Sequence, residues 1–237
     1  MWHEPVSQTA IEEVRHRLAS PLAQLLDLPV FTAVGRNRPP ADVLRGIWNY
    51  EAYAAIYSRC LANVLAQVDS ERARMPLVEN LWDEHGRGDP AGGHRLMMAT
   101  FVSSVERAFH PEGIDRDPVL PSTTLAIRDL ISLTCDQGPL RGMGALLALE
   151  LTNASQLAAL QRGLFAGLPD AADMTYLVVH QACDDQHAAE IAEGIDELCT
   201  DNRQLSEAVE GALAAMQADF AFWAGLSASL GLELAAK

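Results

Sequence analysis

The chain has 237 residues, 49% of them hydrophobic, enough to build one large domain around a sizeable core. Its formal charge is −15, from 17 basic and 32 acidic side chains. That balance argues against nucleic acid or an anionic membrane as partner, because both select basic surfaces. No apolar run reaches the roughly 18 residues of a membrane span.

In chain order, a short helix is expected near Ile11–Leu18, with Ser7 or Thr9 as its cap. Arg38-Pro39-Pro40 reads as a loop, followed by one long helix from about Ala41 to Val68. The next spans about Glu71–His85 and stops at Gly86-Arg87-Gly88-Asp89-Pro90; helix resumes near Gly93–Phe109. The Pro- and Asp-rich stretch His110–Pro121 is a second loop. Four further helices are expected near Thr123–Cys135, Leu140–Phe165, Ala171–Leu198 and Gln204–Leu230. Period-2 alternation is scarce and 3.6-residue periodicity recurs, so the expected fold is all-α: a single domain over 1–237, a bundle of seven to eight helices.

The opening Met1-Trp2-His3-Glu4-Pro5 lacks the basic and apolar regions of a secretory signal, so a cytoplasmic protein is expected. Cys60, Cys135, Cys183 and Cys199 are scattered, which disfavours a disulfide framework or a structural zinc site. The only lysine is Lys237, so neither Schiff-base chemistry nor a phosphate-binding P-loop has its usual internal Lys.

The strongest local signal is His180-x-x-x-Asp184-x-x-His187. On an α-helix these positions fall within about 60° of arc and so share one face. Val178, Val179, Cys183, Ala188 and Ile191 flank them, so the trio sits in or beside an apolar stripe, where unpartnered Asp and His cost several kcal/mol. A metal ion offsets that cost; so does a hydrogen-bond network, and a plain solvent-facing row is the alternative. His180 and His187 lie roughly 10 Å apart along the axis, a span that suits two ions with Asp184 between them better than one.

A second cluster places Glu84 at the end of one helix and His94 at the start of the next, across a Gly-rich turn. Glycines allow the positive φ values that reverse a chain there, so the two can meet at one ion. Glu150 is a lone carboxylate beside Leu146, Leu147, Leu149 and Leu151. Buried without a partner it would protonate or destabilise the fold, and ligation is one resolution. Mixed carboxylate and imidazole donors without thiolate, inside a helical bundle, suit iron or manganese. Among the remaining residues, His85 points about 100° away from Glu84, and His3, His16 and His110 read as surface. Trp48, Tyr50, Tyr53 and Tyr57 read as core packing more than as a substrate box, and Arg87 or an arginine within 141–162 could bind a substrate carboxylate, with nothing in the sequence selecting one.

The combination Asn80-Leu-x-Asp-Glu84-x-Gly-x-Gly-x-x-x-x-x-His94, a later Glu150, then His180-x-x-x-Asp184-x-x-His187-Ala188 resembles the haem-oxygenase-like di-iron oxidases and oxygenases. That superfamily also holds the thiaminase II and pyrroloquinoline-quinone-synthase relatives. The resemblance implies a haem-oxygenase-like bundle and ligation by Glu84, His94, Glu150, His180, Asp184 and His187. It implies Fe(II), two per chain, with O2 as co-substrate. The implied activity is oxidation of a small amino-acid-like or carboxylate substrate by C–C cleavage, N-oxygenation or desaturation, in natural-product biosynthesis, by a chain that can form a homodimer. No catalytic residue beyond the metal centre is implied. Some N-oxygenating members have a further carboxylate ligand upstream; near 57–61 this chain has Tyr57, Ser58, Arg59, Cys60 and Leu61, with Glu51 about two turns early. Two other readings stand beside this one. One is a cofactor-free enzyme that binds a heterocycle, with Cys135 as nucleophile. The other is a non-catalytic iron-binding helical protein.

Overall fold

The computed structural model describes residues 9–32, 38–110 and 112–232, and these contain helices and no strand. The helices are α1 (Ala10–Leu26), α2 (Pro29–Thr32), α3 (Pro40–Ala54), α4 (Tyr57–Leu65), α5 (Glu71–Glu84), α6 (His94–Phe109), α7 (Pro121–Asp136), α8 (Pro139–Arg162), α9 (Thr175–Leu198) and α10 (Asn202–Ser229). Short 3-10 turns at Gly86–Gly88, Pro90–Gly92 and Leu164–Gly167 complete them. Among the described residues no helix is long and apolar enough to cross a membrane. His3, Ser7 and Lys237 lie outside the described residues.

Helix starts follow local chemistry. Thr9, the residue before α1, donates its N–H to Glu12, and Asp201 accepts from the Gln204 N–H at 2.9 Å at the head of α10. Pro40, Pro121 and Pro139 each open a helix, where a missing N–H leaves nothing unsatisfied. Two expectations need correction. The N-terminal helix continues through Pro21 to Leu26 instead of ending near Leu18. The long helix expected over 41–68 is broken at Ala55-Ile56 into α3 and α4, so the bundle has more segments than the seven or eight expected.

The centre of the bundle is α8, which packs against α1, α2, α4, α7, α9 and α10. From Gly142 to Ala148 every residue is buried. Its closest neighbour is α10, which runs in the same direction. A Cβ on Gly144 would lie 1.8 Å from the Ala208 carbonyl oxygen, and one on Gly211 would lie 2.0 Å from that of Arg141. Backbone meets backbone there, and no side chain fits between. Gly144→Ala is therefore expected to push the helices apart and destabilise the chain by about 1–3 kcal/mol, read as a lower urea midpoint with the helical signal retained. An unchanged midpoint would mean that α8 and α10 are free to separate.

Candidate metal centre

Four helices bring the six singled-out residues together. Glu84 ends α5, His94 begins α6, Glu150 lies in α8, and α9 carries His180, Asp184 and His187. The α5–α6 link turns through Gly86 (φ 77°), Arg87 (φ 52°) and Gly88 (φ 92°). A Cβ on Gly86 would lie 2.6 Å from the Gly93 nitrogen, so glycine is required for the reversal. Arg87 holds the left-handed conformation without being glycine, and its Nε donates to Asp83 at 2.6 Å, which offsets the strain.

The donors form two groups of three, Glu84/His94/His180 and Glu150/Asp184/His187, with the ligand atoms of each within 4.8 Å of one another. His94 Nδ1 lies 2.7 Å from Glu84 Oε1. The His94 and His180 rings meet edge to face at 4.5 Å. His180 Nδ1 donates to the Tyr176 carbonyl at 2.9 Å, which leaves Nε2 as its ligand atom. In the second group His187 Nδ1 is 3.5 Å from Glu150 Oε1, and its Nε2 bonds Asp83 at 3.0 Å. Ring nitrogens fixed by a carbonyl or carboxylate on one side present the other nitrogen to a metal in a set orientation. Asp83 with Cys183 and His187 makes a third, overlapping group, but Asp83 is already engaged by Arg87.

The carboxylates are held as firmly. The Tyr57 hydroxyl donates to Glu150 Oε1, as does Asn80 Nδ2 at 2.9 Å, and Asn153 Nδ2 donates to Asp184 Oδ2 at 2.8 Å. Glu150 is 5% exposed and Asp184 1%. The expectation that α9 turns one polar face inward holds: His180, Asp184 and His187 are buried while Val178 is exposed. Burial and the neighbouring Glu150 charge push the Asp184 carboxyl up, against the hydrogen bond from Asn153. For His187, burial opposes the charge, but Glu150 and Asp83 outweigh it and raise the imidazole to about 9. His180 moves the other way, lowered by burial and by His94.

These residues fit a metal ion. Three carboxylates and three imidazoles converge, and among the described residues the ion-pair partners of Glu84 and Glu150 are histidines. The Asn80 side-chain oxygen is buried beside them with no partner, a rare condition for a buried carbonyl.

The site forms the inner end of a cavity of about 510 Å³ whose lining includes Glu84, His94, Glu150 and His180. Trp48, Tyr50, Tyr53 and Tyr57, expected as plain core, all line it. They pack as core on one side and bound the cavity on the other. Neither Arg87 nor an arginine of 141–162 lines the cavity; Arg95 and Arg116 do, and Arg116 is paired with Glu51 at 2.8 Å and Glu106 at 2.7 Å. Glu51 is thus engaged away from the metal donors, and Tyr57 takes the place where a further carboxylate was sought. Cys135 is exposed and does not line the cavity. Cys60 does, but burial pushes its thiol up to about 11, away from a thiolate nucleophile.

Sequence reasoning missed Asp83, Asn153, Tyr57 and the role of Asn80. Asn80 lies one turn before Glu84 and Asn153 one turn after Glu150, so helical spacing alone was a usable signal for both. Nothing local marks Tyr57, which reaches Glu150 only because the chain breaks before α4.

At neutral pH the raised values leave His187 charged and Asp184 protonated, and ligation needs both deprotonated. Metal uptake at pH 7 is therefore expected to release at least one proton per chain, and affinity should rise as pH climbs toward 9. Calorimetric titration with Zn(II) in buffers of different ionisation enthalpy measures this; uptake without proton release would contradict the assigned protonation.

The iron-containing redox enzyme family model matches residues 49–220. Three solved structures share the fold at low identity. A TenA homologue from Pseudomonas syringae has a TM-score of 0.70 at 14% identity, covering 94% of this chain and 98% of that one. A domain of unknown function with a haem-oxygenase-like fold from Shewanella denitrificans has a TM-score of 0.69 at 17% identity, covering 92% of each chain. A CADD-like protein of unknown function from Nostoc punctiforme has a TM-score of 0.68 at 18% identity, covering 92% of this chain and 98% of that one. No curated protein matches the sequence. The matched segment runs from α3 to α10 and contains all six donors, and on that ground the all-α, haem-oxygenase-like chain belongs to the iron-containing redox enzyme family.

Proposed function

We propose that this protein is an O2-dependent non-haem iron oxidase or oxygenase that holds two ferrous ions and acts on a small amino-acid-like or carboxylate substrate. One observation carries the reading: two three-residue donor groups lie in the bundle, and Glu84, His94, His180 and Glu150 of them line one cavity. Glu84, His94 and His180 would hold one ion, and Glu150, Asp184 and His187 the other. Bound iron supplies the redox chemistry that activates O2, which side chains alone cannot provide. The chain's own part is to position and exclude. Tyr57 and Asn80 fix Glu150, Asn153 fixes Asp184, and Asp83 fixes the His187 ring. The aromatic wall keeps bulk water from the reacting centre. Three carboxylates leave a pair of ferrous ions near neutrality, so a substrate carboxylate can complete the balance.

A phenol at position 57, where N-oxygenating relatives are expected to place a carboxylate, supports oxidative C–C cleavage or desaturation over N-oxygenation. The high thiol pKa of Cys60 and the exposure of Cys135 weigh against a cofactor-free thiol enzyme. A cytoplasmic setting, a homodimer and a place in natural-product biosynthesis belong to the same proposal.

The direct test is anaerobic loading with Fe(II), then mixing with O2 and a panel of amino acids and fatty acids under stopped-flow absorption. Substrate-dependent O2 consumption is expected; iron-loaded protein whose O2 uptake ignores every substrate would overturn the oxidase reading. His180→Ala and His187→Ala should each lower iron content with helicity intact, and Glu150→Ala should bind about one iron per chain. Two irons and unchanged turnover in Glu150→Ala would remove Glu150 from the ligand set. Tyr57→Phe leaves all six donors in place, and should cost roughly tenfold or more in metal affinity or turnover through the lost bond to Glu150.

A further inference from the structure

Outside the metal donors, the cavity wall contains one more buried acid. Asp219 lies on α10, 3% exposed, and lines the same cavity. Its Oδ1 accepts from the Tyr53 hydroxyl at 2.7 Å and its Oδ2 from Gln156 Nε2 at 2.7 Å. The Gln156 amide is itself locked, since its Oε1 accepts from the Trp223 indole at 2.7 Å and its Nε2 also reaches Thr152 Oγ1 at 3.0 Å. Every group that touches the carboxylate is a neutral donor, and no arginine or histidine reaches it. Both oxygens accept a hydrogen bond, the pattern of an ionised carboxylate; burial pushes the carboxyl up to about 6, with Tyr53 and Gln156 pulling it back. An ionised carboxylate out of water needs a positive partner to be compensated, and here the open side is the cavity.

The placement relative to the metal donors is set by α8. Glu150, Asn153 and Gln156 follow at intervals of three residues, so Gln156 lies about 9 Å along the axis from Glu150. Asn153 sits between, bonded to Asp184 and in reach of the Tyr50 hydroxyl at 3.5 Å. The cavity thus has donors for metal at one end and a buried anion with neutral clamps at the other.

We propose that Asp219, clamped by Tyr53 and Gln156, is a recognition subsite for the cationic end of the substrate, a protonated amine or a guanidinium. The substrate is then a short molecule with its positive group at Asp219 and its oxidised carbon about 9 Å away, roughly the reach of an extended six-carbon chain, beside Glu150. The assignment of the oxidised end rests on the proposed function; cation binding at Asp219 does not.

The test uses metal-free protein and three probes of equal length: n-hexylamine, n-hexanol and n-hexanoate, titrated calorimetrically at neutral pH. The wild-type chain is expected to bind hexylammonium at least about tenfold tighter than either of the others. Asp219→Asn, near-isosteric and checked for helicity by circular dichroism, should lose that preference, whereas Glu150→Gln should keep it. Hexanol or hexanoate binding as tightly as hexylammonium, or no saturable hexylammonium binding, overturns the subsite. So does a preference that survives Asp219→Asn and vanishes in Glu150→Gln, which would place the ammonium among the metal donors. No step involves iron or O2, so a failure here is separate from a failure of the oxidase reading.

Discussion

The structure depends on three buried carboxylates that the chain balances only with protons and imidazoles. Glu84, Glu150 and Asp184 converge inside a helical bundle with three imidazoles. Neutral donors from Tyr57, Asn80 and Asn153 hold these oxygens in place without cancelling their charge. Such a cluster stores repulsion, visible in the upward shift of Asp184 and in the retained proton of His187. A bound cation would take the place of those protons. The polar atoms around the cluster are arranged for that exchange: imidazoles tethered on one nitrogen, and an Asn80 carbonyl left without a partner.

The fold makes that arrangement possible by putting its most buried helix through the middle. Because α8 packs against six other helices, its Glu150 is buried, and neighbours on α4, α5 and α9 serve it. The α5–α6 turn does the complementary task at the edge, bringing Glu84 and His94 within 2.7 Å of each other through a glycine reversal and one strained arginine. Arg87 then reaches back to Asp83, and Asp83 to His187. A surface cation is thereby connected to a metal-facing ring through one carboxylate, an outer-sphere tuning device of the kind that sets ligand basicity.

Much of this was legible in the sequence where the information is local. Helical period alone placed His180, Asp184 and His187 on one face, and the glycine-rich turn alone paired Glu84 with His94. Glu150 was conspicuous because leucines surround it. What was not legible depends on tertiary contact. Asp83 and Glu84 are adjacent carboxylates, and only the packing of α5 against α9 decides that one tethers a histidine while the other faces the ligand cluster. The break at Ala55-Ile56 carries no proline or glycine, yet it turns Tyr57 from an expected core residue into a partner of Glu150. Asp219 and Gln156 look like ordinary polar positions in long helices until α8 and α10 are brought alongside each other. The arginines at the cavity, Arg95 on α6 and Arg116 in the loop before α7, carry no local pattern that singles them out.

The glycine contact between α8 and α10 has a bearing on selectivity. Gly144 and Gly211 lock the two helices backbone to backbone, and Gln156 ties them again twelve residues farther on through Asp219 and Trp223. Two helices pinned at both places cannot slide. The gap between the two ends of the cavity is then a caliper set by main chain, graduated in steps of about 1.5 Å per residue, and side-chain rearrangement cannot open or close it. Under the proposed function, a guest one or two methylenes too long would meet the oxidising end with the wrong carbon, and regiochemistry would be a property of helix packing.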